Sequence, residues 1–512
     1  MKTMNVSKFI IGAGISSFLV IPVQAKKVAS EKNQKNLNIL LITADDLNYS
    51  STGFWGSKVP DITPNLDKLA AQGMIFKNAH VNCAVSQPSR AVLATGMYAH
   101  RNGVEGFYHT EKNIPTVMSV LREHGYLVGI AGKVPHSTPI KEFKWDMAFD
   151  QPNLGQGRNP QRYYEVLKEF VATSKKNKKP FYFMLNSHDP HRPFHGSEAD
   201  IKMLKDGAVY PPPSRIYSTN EIEVPGFLPD IPAVRTELAQ YFSSVRRLDD
   251  TVGAVLRVLK EEGVLDNTLI IFLSDNGISA PFAKTNVYLN STRTPWIVSL
   301  PGVVKPGTRN SEEFISGIDF MPTVLDVCGI DIPENIDGKS FLPLMKGERQ
   351  DSRTRVFTQF YETSGKNRYP MFAVQDNKYG YIYNAWSDGK YQFKNDSQGG
   401  IAFKGMVTEG KTDFNIQKRV DLLWYRVPEE FYDLENDPNA LNNLINDPAY
   451  FDTIVNYRRE LLTWMKQYES NATDVFEKLC EYNGSRNRYI KEDRGKIDNG
   501  KKNPKNLAIS PL

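Results

Sequence analysis

Four apolar stretches of this 512-residue chain each run into residues equipped for polar chemistry. Asn38–Ala44 leads into Asp45-Asp46, and Tyr126–Ala131 into Gly132-Lys133, with His136 three residues on. Phe181–Leu185 leads toward His188-Asp189-Pro190-His191-Arg192, and Leu269–Leu273 into Ser274-Asp275-Asn276-Gly277, with Lys284 beyond. In an open α/β sheet, ligands bind just past the carboxyl ends of the strands. Taken singly, each feature has an ordinary reading: a turn or cap for Asp-Asp, a turn for Asp-Asn-Gly, a solvated lysine, loop-pinning histidines near prolines. Recurrence at four strand ends points to a site on one rim. Asp45, Asp46, Asp275 and Asn276 offer only hard oxygen donors, which suits calcium or magnesium and suits zinc poorly. Calcium tolerates loose geometry and bidentate carboxylates, so it fits two adjacent aspartates best.

A fifth segment, Ser86-Gln87-Pro88-Ser89-Arg90-Ala91-Val92-Leu93-Ala94-Thr95-Gly96, opens like a helix, because Pro and Ser start one well and Ala-Val-Leu-Ala continue it. Ser86 then stands at a helix N-terminus, where free N–H groups and the dipole favour an anion. By composition alone such a serine is most often a cap.

Ser86-x-Pro-Ser-Arg followed by Thr95-Gly96 resembles the signature of the sulfatase family in its serine-type form. The order Asp45-Asp46, Ser86, Arg90, Lys133, His136, His191, Asp275-Asn276, Lys284 matches that family's order of site residues. The resemblance extends through Asp337-Gly338-Lys339-Ser340-Phe341-Leu342 to Phe431-Tyr432-Asp433-Leu434, Asp437-Pro438 and Asn443-Leu444. Within the family the chain is most similar to the heparan N-sulfatases (sulfamidases), through His188–Arg192, Ser274–Ile278, Lys284–Tyr288, Tyr369-Pro370-Met371 and Val374-Gln375. Two departures stand out. The usual Lys-x-His spacing has one extra residue in Lys133-Val134-Pro135-His136, and Lys284 stands where the sulfamidases carry arginine. Cys83 precedes Ser86 by three residues, but Val85 stands where a modified Cys83 would require proline, so Cys83 does not fit the signature.

The resemblance implies an alkaline-phosphatase-like α/β fold with a large, mostly parallel sheet flanked by helices and a smaller C-terminal α+β domain. It implies a calcium ion on Asp45, Asp46, Asp275 and Asn276, and a formylglycine made from Ser86 by a separate maturation enzyme. A hydrated formylglycine carries two hydroxyls on one carbon: one attacks sulfur, and the other, deprotonated, expels sulfate without water attacking sulfur. Asp275 is then the acceptor of the attacking hydroxyl's proton, and Arg90 holds the hydrate. Lys133 and Lys284 stabilise the sulfuryl oxygens, His191 is the general acid and His136 the base of the elimination. The implied substrate is a sulfated saccharide, N-sulfoglucosamine of heparan or heparin fragments first and another O-sulfated sugar second. A phosphate or phosphonate ester hydrolase using unmodified Ser86 is a third reading, and a non-catalytic glycan-binding protein a fourth. Homodimer formation rests on the resemblance alone.

The four apolar runs and Trp296–Leu300 lack period-2 alternation and read as buried parallel strands. Thr63-Pro64 opens a helix with an apolar face at Leu66, Leu69 and Ala70, ended by Gly73. Leu238, Phe242, Val245, Leu248, Val252, Val255 and Leu259 form a longer stripe closed by Gly263. Alternating strands and helices predict an α/β domain over 26–355. An α+β subdomain over 356–485 follows, short-stranded and aromatic from Tyr369 to Ala385, with helical character returning only after Pro448. Arg486–Lys505 is dense in Lys, Asn, Gly and Asp, so residues 486–512 read as a mobile tail.

Lys2 and Lys8 flank and precede an apolar run ending in Val23-Gln24-Ala25, the pattern of a signal peptide over 1–25, so the protein is expected to be exported to the periplasm or secreted. No later stretch is apolar enough to span a membrane. Losing Lys2 and Lys8 lowers the formal charge from +5 to +3, and no basic cluster resembles a nucleic-acid module. Cys83, Cys328 and Cys480 permit one disulfide at most, with the pair undetermined.

Overall fold

Runs of Val, Ile, Leu and Phe without alternation make strands buried on both faces, as a parallel sheet under two layers of helices requires. The computed structural model describes residues 37–483 and Met1. The expected signal peptide and C-terminal tail lie outside this stretch. Ten strands come first: β1 (Asn38–Ala44), β2 (Met74–Phe76), β3 (Ala79–His80), β4 (Leu127–Ala131), β5 (Met147–Phe149), β6 (Phe181–Asn186), β7 (Thr268–Ser274), β8 (Trp296–Ser299), β9 (Thr308–Asn310) and β10 (Ile315–Ser316). Eight form one sheet in the order β5-β4-β6-β1-β7-β8-β2-β9, while β3 pairs with β10.

The register sets up the site. Thr43 lies opposite Asn186, Ala44 opposite Ser274, and Ala131 opposite Leu185. Parallel strands β4, β6, β1 and β7 therefore finish level, and the residues that follow them emerge together at one edge. Successive residues of β1 point to opposite faces. Leu40 and Ile42 join a core with Phe183, Leu185, Ile270 and Phe272, while Ile39 and Leu41 join another with Met184, Leu269 and Ile271.

The main helices described are α1 (Pro64–Gln72), α2 (Ser86–Thr95), α3 (Pro160–Asn177), α4 (Pro232–Glu261), α5 (Ile401–Glu409), α6 (Phe414–Tyr425) and α7 (Phe451–Gln467). The stripe from Leu238 to Leu259 lies buried along α4. α1 starts at Pro64 as expected, but the Thr63 side chain caps no helix N–H. The Asp249 carboxylate of α4 accepts from Asn65 N and Leu66 N instead, at 2.8–3.1 Å. A carboxylate at a helix N-terminus is a stronger acceptor than a hydroxyl, and it ties α1 to α4.

Two expectations are corrected. Trp296–Leu300 was expected to be parallel, but β8 is antiparallel to β7, with Leu273 opposite Trp296 and Ile270 opposite Ser299. A parallel return must cross the sheet and needs its own crossover element; here the intervening chain is spent at the site's edge. Burial on both faces conceals strand direction, so the apolar run carried no sign of it. Helical character also returns before Pro448, in α5 and α6, whose buried faces are narrow: Ala402, Phe403 and Met406, then Val420 and Leu423. So few apolar positions give a faint period.

The C-terminal sheet comprises β11 (Val356–Glu362), β12 (Arg368–Gln375), β13 (Tyr379–Asn384) and β14 (Glu429–Asp433), all antiparallel neighbours in that order. It joins the large domain through one shared apolar cluster, with Tyr98 edge-on against Trp464, and through polar contacts: Gln359 N donates to Asn82 O at 2.8 Å, and Tyr288 Oη to Glu430 Oε2 at 2.7 Å. No described helix is long and apolar enough to cross a membrane. All three cysteines are free, Cys83 and Cys328 being buried.

Candidate active site

Ser86 is the first residue of α2, after extended Val85, and all ten residues of the helix are buried. Arg90 follows one turn on, on the same face. Its guanidinium is fully buried, a position tolerable only with every donor matched. Nε and Nη2 donate to Asp275 Oδ2 at 3.2 and 2.8 Å, and Nη1 donates to Thr43 Oγ1 at 2.8 Å and Asn186 Oδ1 at 2.5 Å. The Ser86 hydroxyl donates to Asp45 Oδ1 at 3.1 Å. The Asp275 oxygens, expected to serve the reacting hydroxyl, face Arg90 and the Asp46 N–H, the latter at 3.1 Å.

Asn186 escaped the sequence reading because it is the last residue of an apolar strand. It accepts from Arg90 and Thr43 and donates to Gly132 O at 2.8 Å, so it links three strand ends. Gly132 has φ +77°, and a Cβ there would meet Asn186 O at 2.2 Å. Glycine is therefore required where the chain turns toward Lys133. Lys133 forms an ion pair with Asp45. The extra residue between Lys133 and His136 is absorbed by a tight turn, in which Ser137 N donates to Lys133 O at 3.0 Å. His136 packs edge-on against Phe107 and is pushed down to about 4 by burial, then by the charges of Lys133 and Arg90.

The acidic group is dense. Burial disfavours ionised Asp45, yet Lys133, His191 and Arg90 hold it well below the usual carboxylate range. Asp46, at φ +70°, is pushed up to about 6 by burial and by its acidic neighbours Asp45 and Asp396. Asp275 is pushed up to about 7 by burial and by Asp45. Asn276 Nδ2 donates to Asp46 Oδ1 at 2.7 Å, whereas Asn276 Oδ1 is buried without a hydrogen-bond partner. Crowded buried carboxylates beside an orphaned amide oxygen fit a hard divalent cation, which would satisfy the oxygen and favour the ionised acids. Asp45, Asp46 and His191 present ligand atoms within 4.8 Å of one another.

His191 is set by the strap that carries it. Asp189 accepts from Arg158 Nη1 at 2.5 Å and from Arg247 Nε and Nη2 at 2.7 and 3.0 Å, and Arg158 Nη2 donates to His191 O at 3.0 Å. His191 Nδ1 lies 2.5 Å from the Arg192 carbonyl, which can only accept, so Nδ1 carries the proton. Nε2 then faces Asp46 Oδ2 at 3.8 Å. Loss of hydration around the half-buried ring and the charge of Lys284 push His191 down to about 3. His188 is different: it is buried against Gly157 with Nδ1 near Gln151, and serves the loop.

Lys284 is buried, with Nζ 2.9 Å from Asp46 Oδ2 and 3.2 Å from Asp396 Oδ2. Asp396 belongs to the C-terminal part of the chain and was not among the expected site residues. Lys394-Asn395-Asp396-Ser397 reads as an ordinary polar loop, so no local signal marked it. The structure thus gathers Asp45, Asp46, Ser86, Arg90, Lys133, His136, His191, Asp275, Asn276 and Lys284 at one sheet edge and adds Thr43, Asn186 and Asp396.

Residues 37–330 match the family model described as Sulfatase, and 277–399 match that of N-sulphoglucosamine sulphohydrolase, C-terminal. The chain belongs to the sulfatase family. This sulfatase is a hydrolase of sulfate esters or sulfamates. It is 30% identical to N-sulphoglucosamine sulphohydrolase of Homo sapiens over 467 residues, covering 85% of this chain and 90% of that protein. Its fold is similar to that of BT4656 solved with its substrate D-glucosamine-2-N,6-O-disulfate: TM-score 0.64, 20% identity, 86% of this chain and 99% of that one. It is also similar to that of a phosphonate monoester hydrolase of Agrobacterium radiobacter: TM-score 0.63, 18% identity, 84% and 96% of the two chains.

Proposed function

We propose that this sulfatase removes the sulfate of N-sulfoglucosamine in heparan or heparin fragments, after Ser86 has been converted to formylglycine by a maturation enzyme. The observation that carries the reading is the joint match to the sulfatase model and to the sulfamidase C-terminal model, which ends on the loop bearing Asp396. When present, formylglycine supplies paired hydroxyls at position 86 and calcium supplies positive charge for the sulfate oxygens. Asp45, Asp46, Asp275 and Asn276 would hold that ion. Asp275, pushed up to about 7, takes the proton of the attacking hydroxyl, while Asp45 accepts a hydrogen bond from the residue 86 side chain. Arg90, immobilised by Asp275, Thr43 and Asn186, orients residue 86. Lys133 and Lys284 face the sulfuryl oxygens, and His136 takes the proton in the elimination. His191 protonates the departing nitrogen; its resting imidazole is neutral, and the negative charge of a bound sulfate favours its protonation.

An O-sulfated sugar is the runner-up substrate, and a phosphate or phosphonate ester acted on by unmodified Ser86 the third. Export to the periplasm or outside the cell, and a homodimer, accompany the reading. The test is sulfate release from a panel of defined N- and O-sulfated saccharides, with peptide mass spectrometry across residue 86. N-sulfoglucosamine should be cleaved, and active enzyme should carry residue 86 lighter than serine by two hydrogens. Release from O-sulfated sugars alone moves the enzyme to the runner-up. Full activity with unmodified serine moves it to the phosphohydrolase reading.

A further inference from the structure

Ser86, Asp45 and Lys284 lie at the floor of the site, with side chains almost wholly covered. Two side chains that act on this floor stand open instead: His191, 33% exposed, and Asp396, 37% exposed. Lys284 bridges the levels, reaching Asp46 below and Asp396 above at 2.9 and 3.2 Å. The loop carrying Asp396 is fastened to the rim. Arg192 Nη1 donates to the Asp396 carbonyl at 3.1 Å, Asn395 Nδ2 donates to Thr285 Oγ1 at 2.6 Å, and Ala402 N donates to Glu237 Oε2 at 3.0 Å. Arg192 also pairs with Glu237. Asp396 is thus an open carboxylate on a pinned backbone at the mouth, beside the proposed acid.

A substrate with its sulfate on the floor must lay its carbon skeleton against His191 and Asp396. An ionised carboxylate only accepts hydrogen bonds, so it selects a skeleton that presents hydroxyl donors next to the reacting carbon. We propose that Asp396 is a specificity-determining residue that binds a sugar hydroxyl adjacent to the carbon bearing the reacting sulfate. This deepens the sulfamidase reading and rests on it for the choice of sugar.

The test compares wild type, Asp396→Asn and Asp396→Ala on N-sulfoglucosamine and on cyclohexyl sulfamate, which has the same S–N bond and no hydroxyl. Because Asp396 also touches Lys284, both substrates will lose some rate, so the ratio of losses is the readout. The loss in kcat/KM on the sugar should exceed that on cyclohexyl sulfamate by roughly 10- to 100-fold, as for a hydrogen bond to a charged group. Most of it should appear in KM. Equal losses on the two substrates would show that Asp396 acts only through Lys284 and would overturn the proposal, as would an unchanged rate on the sugar. If wild type cleaves neither sulfamate, the substrate reading fails separately. The same ratio, taken between an O-sulfated sugar that is cleaved and 4-nitrophenyl sulfate, then decides Asp396.

Discussion

Asp189→Asn isolates the strap that holds His191. The Asp189 carboxylate is fully buried, and Arg158 and Arg247 meet it through contacts of 2.5, 2.7 and 3.0 Å. Asparagine keeps the shape and removes the charge, which leaves two buried guanidiniums facing each other. Breaking a buried ion pair by removing one partner costs about 3–5 kcal/mol. The asparagine oxygen still accepts one bond, worth roughly 1 kcal/mol, so the expected loss is about 2–4 kcal/mol. That is a large fraction of a total of about 5–15 kcal/mol. Arg158 also holds the His191 carbonyl, so the imidazole shifts and kcat/KM on a sulfate ester should fall by up to about 10²-fold, the cost of misplacing a catalytic group by about 1 Å. Urea titration with the measured m-value gives the first quantity, and initial rates give the second. A stability loss under about 1 kcal/mol would refute the charge argument. The double variant Asp189→Asn with Arg247→Met supplies a check: removing one orphaned cation should recover part of the loss. A double variant as unstable as the sum of the two singles would contradict it.

Three further outcomes follow from the site. Asn276→Ala should abolish most of the rise in Tm that saturating calcium gives over chelator in wild type, a linkage effect of RT ln(1 + [L]/Kd); an undiminished rise would remove Asn276 Oδ1 as a ligand. His191→Ala should slow sulfamate cleavage by roughly 10²–10⁴-fold and hydrolysis of an aryl sulfate with a good leaving group far less. Equal losses together with weakened calcium binding would make His191 a metal ligand instead. Burial pushes the Cys328 thiol up to about 11 and the Cys83 thiol higher still, so both stay protonated at pH 8 and should resist iodoacetamide until the protein is unfolded. Rapid native labelling, read by peptide mass spectrometry, would contradict their burial.

The residues that the fold gathers at the sheet edge were legible in the sequence because their positions are local: strand ends deliver Asp45-Asp46, Lys133, His191 and Asp275-Asn276, and a helix start delivers Ser86 with Arg90 one turn on. The long amphipathic stripe of α4 and the central parallel strands were likewise set by composition and period. Strand direction in β8 was not, since burial on both faces leaves no mark of polarity. Nor were the partners that hold the site together. Asn186 ends an apolar strand, Thr43 sits inside another, and Asp189 looks like a turn residue until Arg158 and Arg247 fold onto it. Which carboxylate meets the Ser86 hydroxyl was decided by register: β1 and β7 end level, Arg90 takes Asp275, and Asp45 is left for the serine. Asp396 lies more than a hundred residues beyond Lys284 and reaches it only because its loop is pinned to the rim. Such contacts join residues far apart in the chain, so their energy depends on packing that no local pattern encodes.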